Sequence, residues 1–175
     1  AIGRRIRGAE RYYLQSFRDE GDLLTGGLTA PTAAQMQRWR EEIAPYVGFD
    51  SMTNYQFVHF LSPEQEYSDI IAQLPALWEK WTADYPIPYF PHISVGWDNN
   101  HRFHGFRPGI VKNATPEEIE KALRSAKEFV DTHDLPAPLI TVNSWNEWTE
   151  TSYLEPDDMY GYGYLEAVRE VFGSK

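Results

Sequence analysis

The chain has 175 residues, of which 42% are hydrophobic and 24% charged, and its formal net charge is −10. That length suffices for one domain with a hydrophobic core, and we expect residues 1–175 to form a single domain. The acidic surface repels phosphate backbones and argues against a nucleic-acid partner. No apolar run reaches the roughly 18 residues that a membrane span needs, so we expect no membrane partner.

Cysteine is absent, which excludes disulfides and thiolate metal sites and leaves the redox compartment open. The histidines lack a metal-ligand spacing, and no phosphate-binding glycine loop occurs, so we expect no metal and no cofactor. The start, Ala1–Arg5, looks like a processed, cut or engineered one. The localisation stays open, and a periplasmic or secreted protein is favoured if the full-length protein carries an export signal.

Two helices and two strands are predicted in the first 61 residues. Apolar residues recur three and four positions apart in the helical segments, and a capping box opens the second helix at Thr32. The second strand segment is rich in aromatic and β-branched residues, whereas glycines weaken the first. The predicted elements are a helix over residues 2–17, a strand over 23–28, a helix over 32–44 and a strand over 49–61.

Five further elements are predicted in the rest of the chain. Residues 62–64 predict a helix start, and Pro75 within the following apolar pattern predicts a kink or break. The strongest helix start lies at residues 115–118, with a Thr cap, a proline and two acids. The elements are a helix over residues 62–83, a strand over 87–95, a helix over 115–130, a strand over 139–142 and a helix over 164–172.

Strands that alternate with helices predict an α/β fold with a parallel sheet and helices packed on it. We therefore expect an initial helix followed by four strand–helix units with right-handed crossovers. Ligands bind at the carboxyl ends of the strands in such folds, so the residues that follow each strand are the site candidates.

Polar, aromatic and acidic residues gather at these strand ends, a combination that suits a carbohydrate site because aromatic rings pack on sugar rings. The predicted catalytic pair is Glu147 and Glu150. The predicted substrate-binding residues are Tyr55, His59, Trp97, Asp98, Arg102, Asn146 and Trp148.

Glu147 and Glu150 stand three residues apart, just past the last predicted strand. Glycoside hydrolysis needs two carboxyl groups, one that protonates the leaving oxygen and one that acts as nucleophile or base. Both can face one pocket if the chain turns between them, and neighbouring acids favour one protonated partner near neutral pH. The alternative is a solvated helix start with two acids that have no catalytic role.

The other candidates also have two interpretations. Asp98 is either a third functional acid or a turn and cap residue. Trp97 and Trp148 are either sugar platforms or packing residues. Arg102 either binds a carboxylate or sulfate of the substrate or forms a salt bridge with Asp98.

Residues 140–150, Ile-Thr-Val-Asn-Ser-Trp-Asn-Glu-Trp-Thr-Glu, resemble the signature of the WbsX-like and endo-α-mannosidase-like glycoside hydrolases, family ninety-nine and its relatives. The match covers roughly residues 49–172, and the first 48 residues match poorly. The other matching segments are residues 49–55, 96–102, 153–157 and 161–166.

The resemblance implies a TIM-type (β/α)8 barrel. Such a barrel typically needs about 250 residues, so this chain would be its carboxyl-terminal half, with about four units. The resemblance further implies a retaining glycosidase in which Glu147 takes a proton from the sugar 2-hydroxyl, giving an anhydro-sugar intermediate. Glu150 would be the general acid and later the base for water. Thr149 and Thr151 stand where the mannosidases have His and Gly, which leaves the substrate open between a mannoside and a related polysaccharide.

Two other functions stay open. One is a glycosyltransferase-like role in surface polysaccharide biosynthesis, although no nucleotide-sugar motif is visible, and the other is a non-catalytic carbohydrate-binding half barrel. In each case the expected partner is an oligosaccharide or polysaccharide. Four units would leave two open strand edges, so we also expect a second chain or an oligomer to complete the barrel, unless the first helix covers one edge.

Overall fold

The computed structural model of the protein describes residues 50–173. Residues 51–173 belong to one compact unit that begins at Ser51. The predicted elements over residues 2–17, 23–28 and 32–44 lie outside the described residues. In chain order the described elements are a 3-10 turn (Phe57–His59), β1 (Gln65–Glu66), α1 (Tyr67–Ile71), α2 (Leu74–Asp84), β2 (His92–Ser94), a 3-10 turn (Asn100–Arg102), β3 (Val111–Lys112), α3 (Pro116–Thr132), β4 (Thr141–Asn143), β5 (Asn146–Glu147), a 3-10 turn (Trp148–Glu150), β6 (Ser152–Tyr153) and α4 (Gly163–Phe172).

Three segments of the chain lie side by side as parallel strands. β2 pairs with β4 so that His92 lies opposite Thr141. Just before β2, Tyr89 forms a parallel bridge with Met52. A second parallel pair joins β1 to β3, and β5 and β6 form an antiparallel hairpin. The described part is therefore a mixed α/β fold, and the half barrel stays a prediction.

The predicted strand over residues 49–61 is wrong for most of its length. Met52 makes the strand-like bridge, but residues 57–59 form a 3-10 turn. The side chain of Gln56 accepts a hydrogen bond from Phe57 N, and such side-chain contacts compete with a strand ladder. β3 at residues 111–112 was not predicted from the sequence.

The helix predicted from Ser62 begins later, because Gln65–Glu66 form β1 and the first helical residue is Tyr67. The break predicted at Pro75 is confirmed. α1 ends at Ile71, and Pro75 lies in the first turn of α2, where its missing N–H removes no helical hydrogen bond.

The helix predicted from residues 115–118 is confirmed as α3, whose amino-terminal cap is Thr115. Thr115 Oγ1 accepts a hydrogen bond from Glu118 N at 3.4 Å. The helix predicted over residues 164–172 corresponds to α4 and packs against α3. The core joins the buried faces of these helices to Ile93 and Val95. No helix within residues 50–173 is long and apolar enough to cross a bilayer.

β2 has one apolar and one polar face, because His92 and Ser94 alternate with Ile93 and Val95. The polar side chains are also buried and satisfy one another. His92 Nδ1 lies 2.9 Å from Thr141 Oγ1, and His92 Nε2 lies 3.1 Å from Ser94 Oγ. Burial, reinforced by the charge of nearby His59, lowers the pKa of His92 to about 3.

This low pKa predicts a loss of stability in acid. An unfolded histidine titrates near 6.5, so from about pH 6.5 down to about pH 3 only the unfolded chain takes up this proton. Stability should therefore fall by up to about 1.4 kcal/mol per pH unit as the pH decreases through this range. Urea unfolding at pH 7, 5.5 and 4 should show a shallower fall for His92→Gln than for the wild type. The exposed His101→Gln is the control, and equal slopes in all three proteins would contradict the prediction.

Candidate active site

The candidate site begins where β4 ends, at Asn143. The β5–β6 hairpin follows, with Asn146 opposite Tyr153 and Glu147 opposite Ser152. The 3-10 turn over Trp148–Glu150 forms its tip, and Thr151 closes the turn in the left-handed region, with φ 51°. Both glutamates therefore lie shortly beyond the carboxyl end of a parallel strand.

Hydroxyl side chains fix the hairpin to the end of β4. Ser152 is buried, and its Oγ lies 2.6 Å from Asn143 Oδ1. Ser144 Oγ donates to Ser152 O at 2.8 Å and accepts from Glu147 N at 3.2 Å. The backbone that carries Glu147 is thus held by two short side chains.

Glu147 and Glu150 meet on a single guanidinium. Arg102 Nη2 lies 3.0 Å from Glu147 Oε1, and Arg102 Nη1 lies 3.0 Å from Glu150 Oε1. Arg102 Nε donates to Thr149 Oγ1 at 2.9 Å. Neither interpretation of Arg102 from the sequence anticipates this arrangement, because the partners of Arg102 are the two acids and not Asp98.

The two carboxylates differ in their access to solvent. The Glu150 side chain is 11% exposed, whereas the Glu147 side chain is 40% exposed. An exposed carboxylate can reach a ligand directly, while a buried one can exchange a proton with little competition from water. The pair therefore offers two carboxyl groups with different environments.

Asp98 is a turn residue in the structure. Its Oδ1 accepts hydrogen bonds from Asn100 N at 2.9 Å and from Asn100 Nδ2 at 2.7 Å. Its backbone lies against the tip of the hairpin, since Asp98 N donates to Glu150 O at 2.8 Å. Trp97 is buried, which matches the packing interpretation rather than a sugar platform.

Trp148 is 43% exposed and stacks on Tyr153, with ring centroids 3.8 Å apart and 20° between the planes. Its Nε1 donates to Glu155 Oε2 at 2.7 Å, which fixes the indole. Burial and the hydrogen bond to Asp157 raise the pKa of Tyr153 to about 12, so this ring stays neutral. Both rings line a cavity of about 430 Å³ together with His101, Thr149 and Thr151.

The remaining predicted residues lie in two places. Tyr55 and His59 are exposed and lie beside each other, with ring centroids 5.9 Å apart. Asn146 is exposed on β5, next to Glu147. Among the residues that the structure describes, no group of three or more His, Cys, Asp or Glu side chains is arranged to hold a metal ion.

Sequence reasoning missed Thr149, Tyr153 and Gly96 as parts of the site. Thr149 stands between the two acids in the sequence. Tyr153 follows the buried Ser152 in β6 and therefore points to the opposite face. Each position thus gave a weak local indication that the residue belongs to the site. The role of Gly96 depends on a distant segment. A Cβ built on Gly96 would lie 2.5 Å from Thr151 O.

These features define an α/β protein in which two carboxylates, an arginine and a stacked aromatic pair gather beyond the end of a parallel strand. The sequence matches the family described as "Glycosyltransferase WbsX" over residues 13–168. The chain therefore belongs to the WbsX family, a family of carbohydrate-active proteins, and the resemblance found in the sequence is confirmed.

Curated relatives are called "Uncharacterized protein WxcX" and come from two strains of Xanthomonas campestris pv. campestris. Each is 33% identical over 88 residues, which is 50% of this chain and 12% of the relative. The match thus spans about an eighth of the length of these relatives. Among solved structures, the GH99 endo-alpha-mannosidase from Bacteriodes thetaiotaomicron is 15% identical, with a TM-score of 0.48. That alignment covers 77% of this chain and 42% of the mannosidase chain.

The close approach at Gly96 gives a prediction for the site. Gly96→Ala should push the Thr151 carbonyl, and with it the hairpin that carries Glu150, and should cost about 1–3 kcal/mol, as overpacking usually does. Urea unfolding measures this loss. Gly105→Ala is the matched control, since nothing lies within 4 Å of its added methyl group. Equal unfolding midpoints for the two variants would show that the hairpin tolerates the displacement.

Proposed function

We propose that this chain carries the catalytic carboxylates of a retaining glycoside hydrolase. The observation that carries the proposal is the meeting of Glu147 and Glu150 on Arg102, with the exposed Trp148 directly after Glu147 in the chain. Cleavage of a glycosidic bond requires two carboxyl groups at one pocket, and an aromatic face suits a sugar ring. Membership of a carbohydrate-active family supports an oligosaccharide or polysaccharide as substrate.

The different exposure of the two acids supports different roles. Glu150, the buried acid, gives its proton to the leaving oxygen, and Arg102 stabilises the carboxylate that remains. Glu147, the accessible acid, takes the proton of the sugar 2-hydroxyl. The freed oxygen then bonds to the anomeric carbon as the glycosidic bond breaks, which gives an anhydro-sugar.

The second half of the reaction restores both acids. Water gives a proton to Glu150 and bonds to the anomeric carbon, and the 2-oxygen leaves that carbon and recovers its proton from Glu147. Configuration at the anomeric carbon is inverted twice and therefore retained. This route suits a mannoside-like or related polysaccharide with a free 2-hydroxyl.

Sugar transfer is the second candidate, and the family description favours it. The same intermediate can be opened by a sugar hydroxyl in place of water, which needs no further catalytic group. A nucleotide-sugar donor would instead need cationic groups for its diphosphate. The three guanidinium nitrogens of Arg102 are directed at Glu147, Glu150 and Thr149, so in this arrangement Arg102 does not offer its charge to a diphosphate.

We also propose that the chain supplies the carboxyl-terminal part of a (β/α)8 barrel. The parallel order of Met52, β2 and β4 is the order of successive barrel strands. The remaining strands would come from a second chain or from a longer protein, since the matched relatives extend well beyond this chain.

Removing either acid tests the assignment. Glu147→Gln and Glu150→Gln should each lower sugar release by roughly 10²–10⁴-fold with folding intact, because each removes one proton transfer. The assay uses the full-length protein with aryl glycosides and mannan-type oligosaccharides. Glu128→Gln, on the exposed side of α3, is the control. Full activity of Glu147→Gln would refute the catalytic assignment, and binding without release by the wild type would instead support a carbohydrate-binding protein.

The role of the 2-hydroxyl is tested with the substrate. A 2-deoxy glycoside should bind with ordinary affinity but should not be cleaved, because Glu147 then has no proton to take. Competition against the normal substrate measures binding, and release of the leaving group measures cleavage. A slow but definite turnover would point to Glu147 as a direct nucleophile. Cleavage at the normal rate would exclude the anhydro-sugar route.

A further inference from the structure

Arg102, Thr149 and Glu147 form a closed triangle of hydrogen bonds. Arg102 Nε donates to Thr149 Oγ1 at 2.9 Å, and the same hydroxyl donates to Glu147 Oε1 at 2.8 Å. Arg102 Nη2 completes the triangle with Glu147 Oε1 at 3.0 Å. The hydroxyl thus uses both a lone pair and its proton, which fixes its rotation.

The same guanidinium reaches the second acid through Nη1, 3.0 Å from Glu150 Oε1. A guanidinium is planar, and its nitrogens are fixed relative to one another, whereas a lysine ammonium is a single point of charge. One Arg102 side chain therefore sets the separation of the two carboxylates as well as the position of each.

The loop that presents Arg102 is itself ordered by side-chain contacts. Arg102 ends a 3-10 turn that starts at Asn100, and Asp98 Oδ1 accepts two hydrogen bonds from Asn100. Asp98 N donates to Glu150 O, so the loop and the tip of the hairpin share a backbone contact. Asp98 thus orders the turn that carries Arg102 by holding Asn100, and its own hydrogen bonds do not go to Arg102.

Stability alone does not explain this arrangement. The Arg102–Glu147 pair is exposed on both sides, with side chains 44% and 40% exposed, and such pairs typically contribute no more than about 1 kcal/mol to folding. The geometry matters more for a reaction, because small displacements of a catalytic group slow the chemical step strongly. A group that acts in this way should change turnover while leaving stability nearly constant.

We propose that Arg102 and Thr149 form a positioning unit that holds Glu147 and Glu150 at a fixed separation for catalysis. The inference rests on the proposed hydrolase function and changes the role of Arg102 from substrate binding to positioning. Thr149 is part of this unit because its hydroxyl joins the arginine to the more exposed acid.

The first test separates positioning from substrate binding. Thr149→Val keeps the shape but removes the hydroxyl, and it should lower kcat about tenfold with KM unchanged, which corresponds to one hydrogen bond to a charged group. Thr149→Ser should restore kcat. Arg102→Lys should lower kcat further, because one ammonium cannot span both acids. Thr82→Val on α2 is the matched control and should leave kcat unchanged.

Three results of this test would overturn the proposal. One is a wild-type kcat in Thr149→Val, and another is a Thr149→Ser variant as slow as Thr149→Val. The third is a raised KM with an unchanged kcat in Arg102→Lys, which would return Arg102 to substrate binding.

A second measurement examines the unit without any turnover. In a ¹⁵N NMR spectrum, the Arg102 Nε–H should exchange slowly with water, and its signal should shift in Thr149→Val and Glu147→Gln but not in Thr82→Val. A freely exchanging Nε–H in an active wild type would refute the unit. A protected Nε–H in a wild type that cleaves no glycoside would support the unit and refute the hydrolase.

Discussion

The site depends on how the buried Asn143, through its side chain and its backbone oxygen, joins three segments at the end of β4. Its Oδ1 accepts hydrogen bonds from Gln56 Nε2 at 2.8 Å and from Ser152 Oγ at 2.6 Å. Its backbone oxygen accepts from Val95 N at 2.8 Å. An unsatisfied polar group in this low-dielectric position would be costly, so the three segments are fixed together. These contacts therefore fix the orientation of the hairpin that carries the two acids relative to β4.

Parallel pairing explains why Arg102 meets these acids. β2 and β4 are neighbours, so the loop after β2 and the hairpin after β4 emerge at the same edge. Their contact is close: Asp98 N donates to Glu150 O, and Thr151 Oγ1 donates to Asp98 O at 3.1 Å. Gly96 permits this approach, because a side chain there would strike the Thr151 carbonyl. The basic loop and the acidic hairpin are thus brought together by backbone geometry.

Elements with a local cause could be predicted from the sequence. The Thr115 cap and the proline after it lie within one turn of α3, and they located that helix correctly. The strand over residues 49–61 failed at Gln56, whose amide oxygen accepts from Phe57 N and whose amide nitrogen is held by Gly96, Asn143 and Ser152, which are 40 or more residues away. The carboxylate pair could be proposed from the sequence because its members stand only three residues apart. Arg102 was also a predicted site residue, but its pairing with the two acids could not be predicted, since Arg102 lies 45 residues from Glu147.

The two acids have different environments because Glu147 ends β5 whereas Glu150 ends the 3-10 turn that follows. The 3-10 turn directs Glu150 back toward the loop after β2, where it is buried, and leaves Glu147 on β5 with solvent access. Where both acids are charged they repel each other, and the single guanidinium between them offsets that repulsion. In the proposed reaction, the carboxylate left on Glu150 after proton transfer would form beside a cation that is already in place. One short hairpin and one loop therefore supply the pair of carboxylates and the charge that keeps them together.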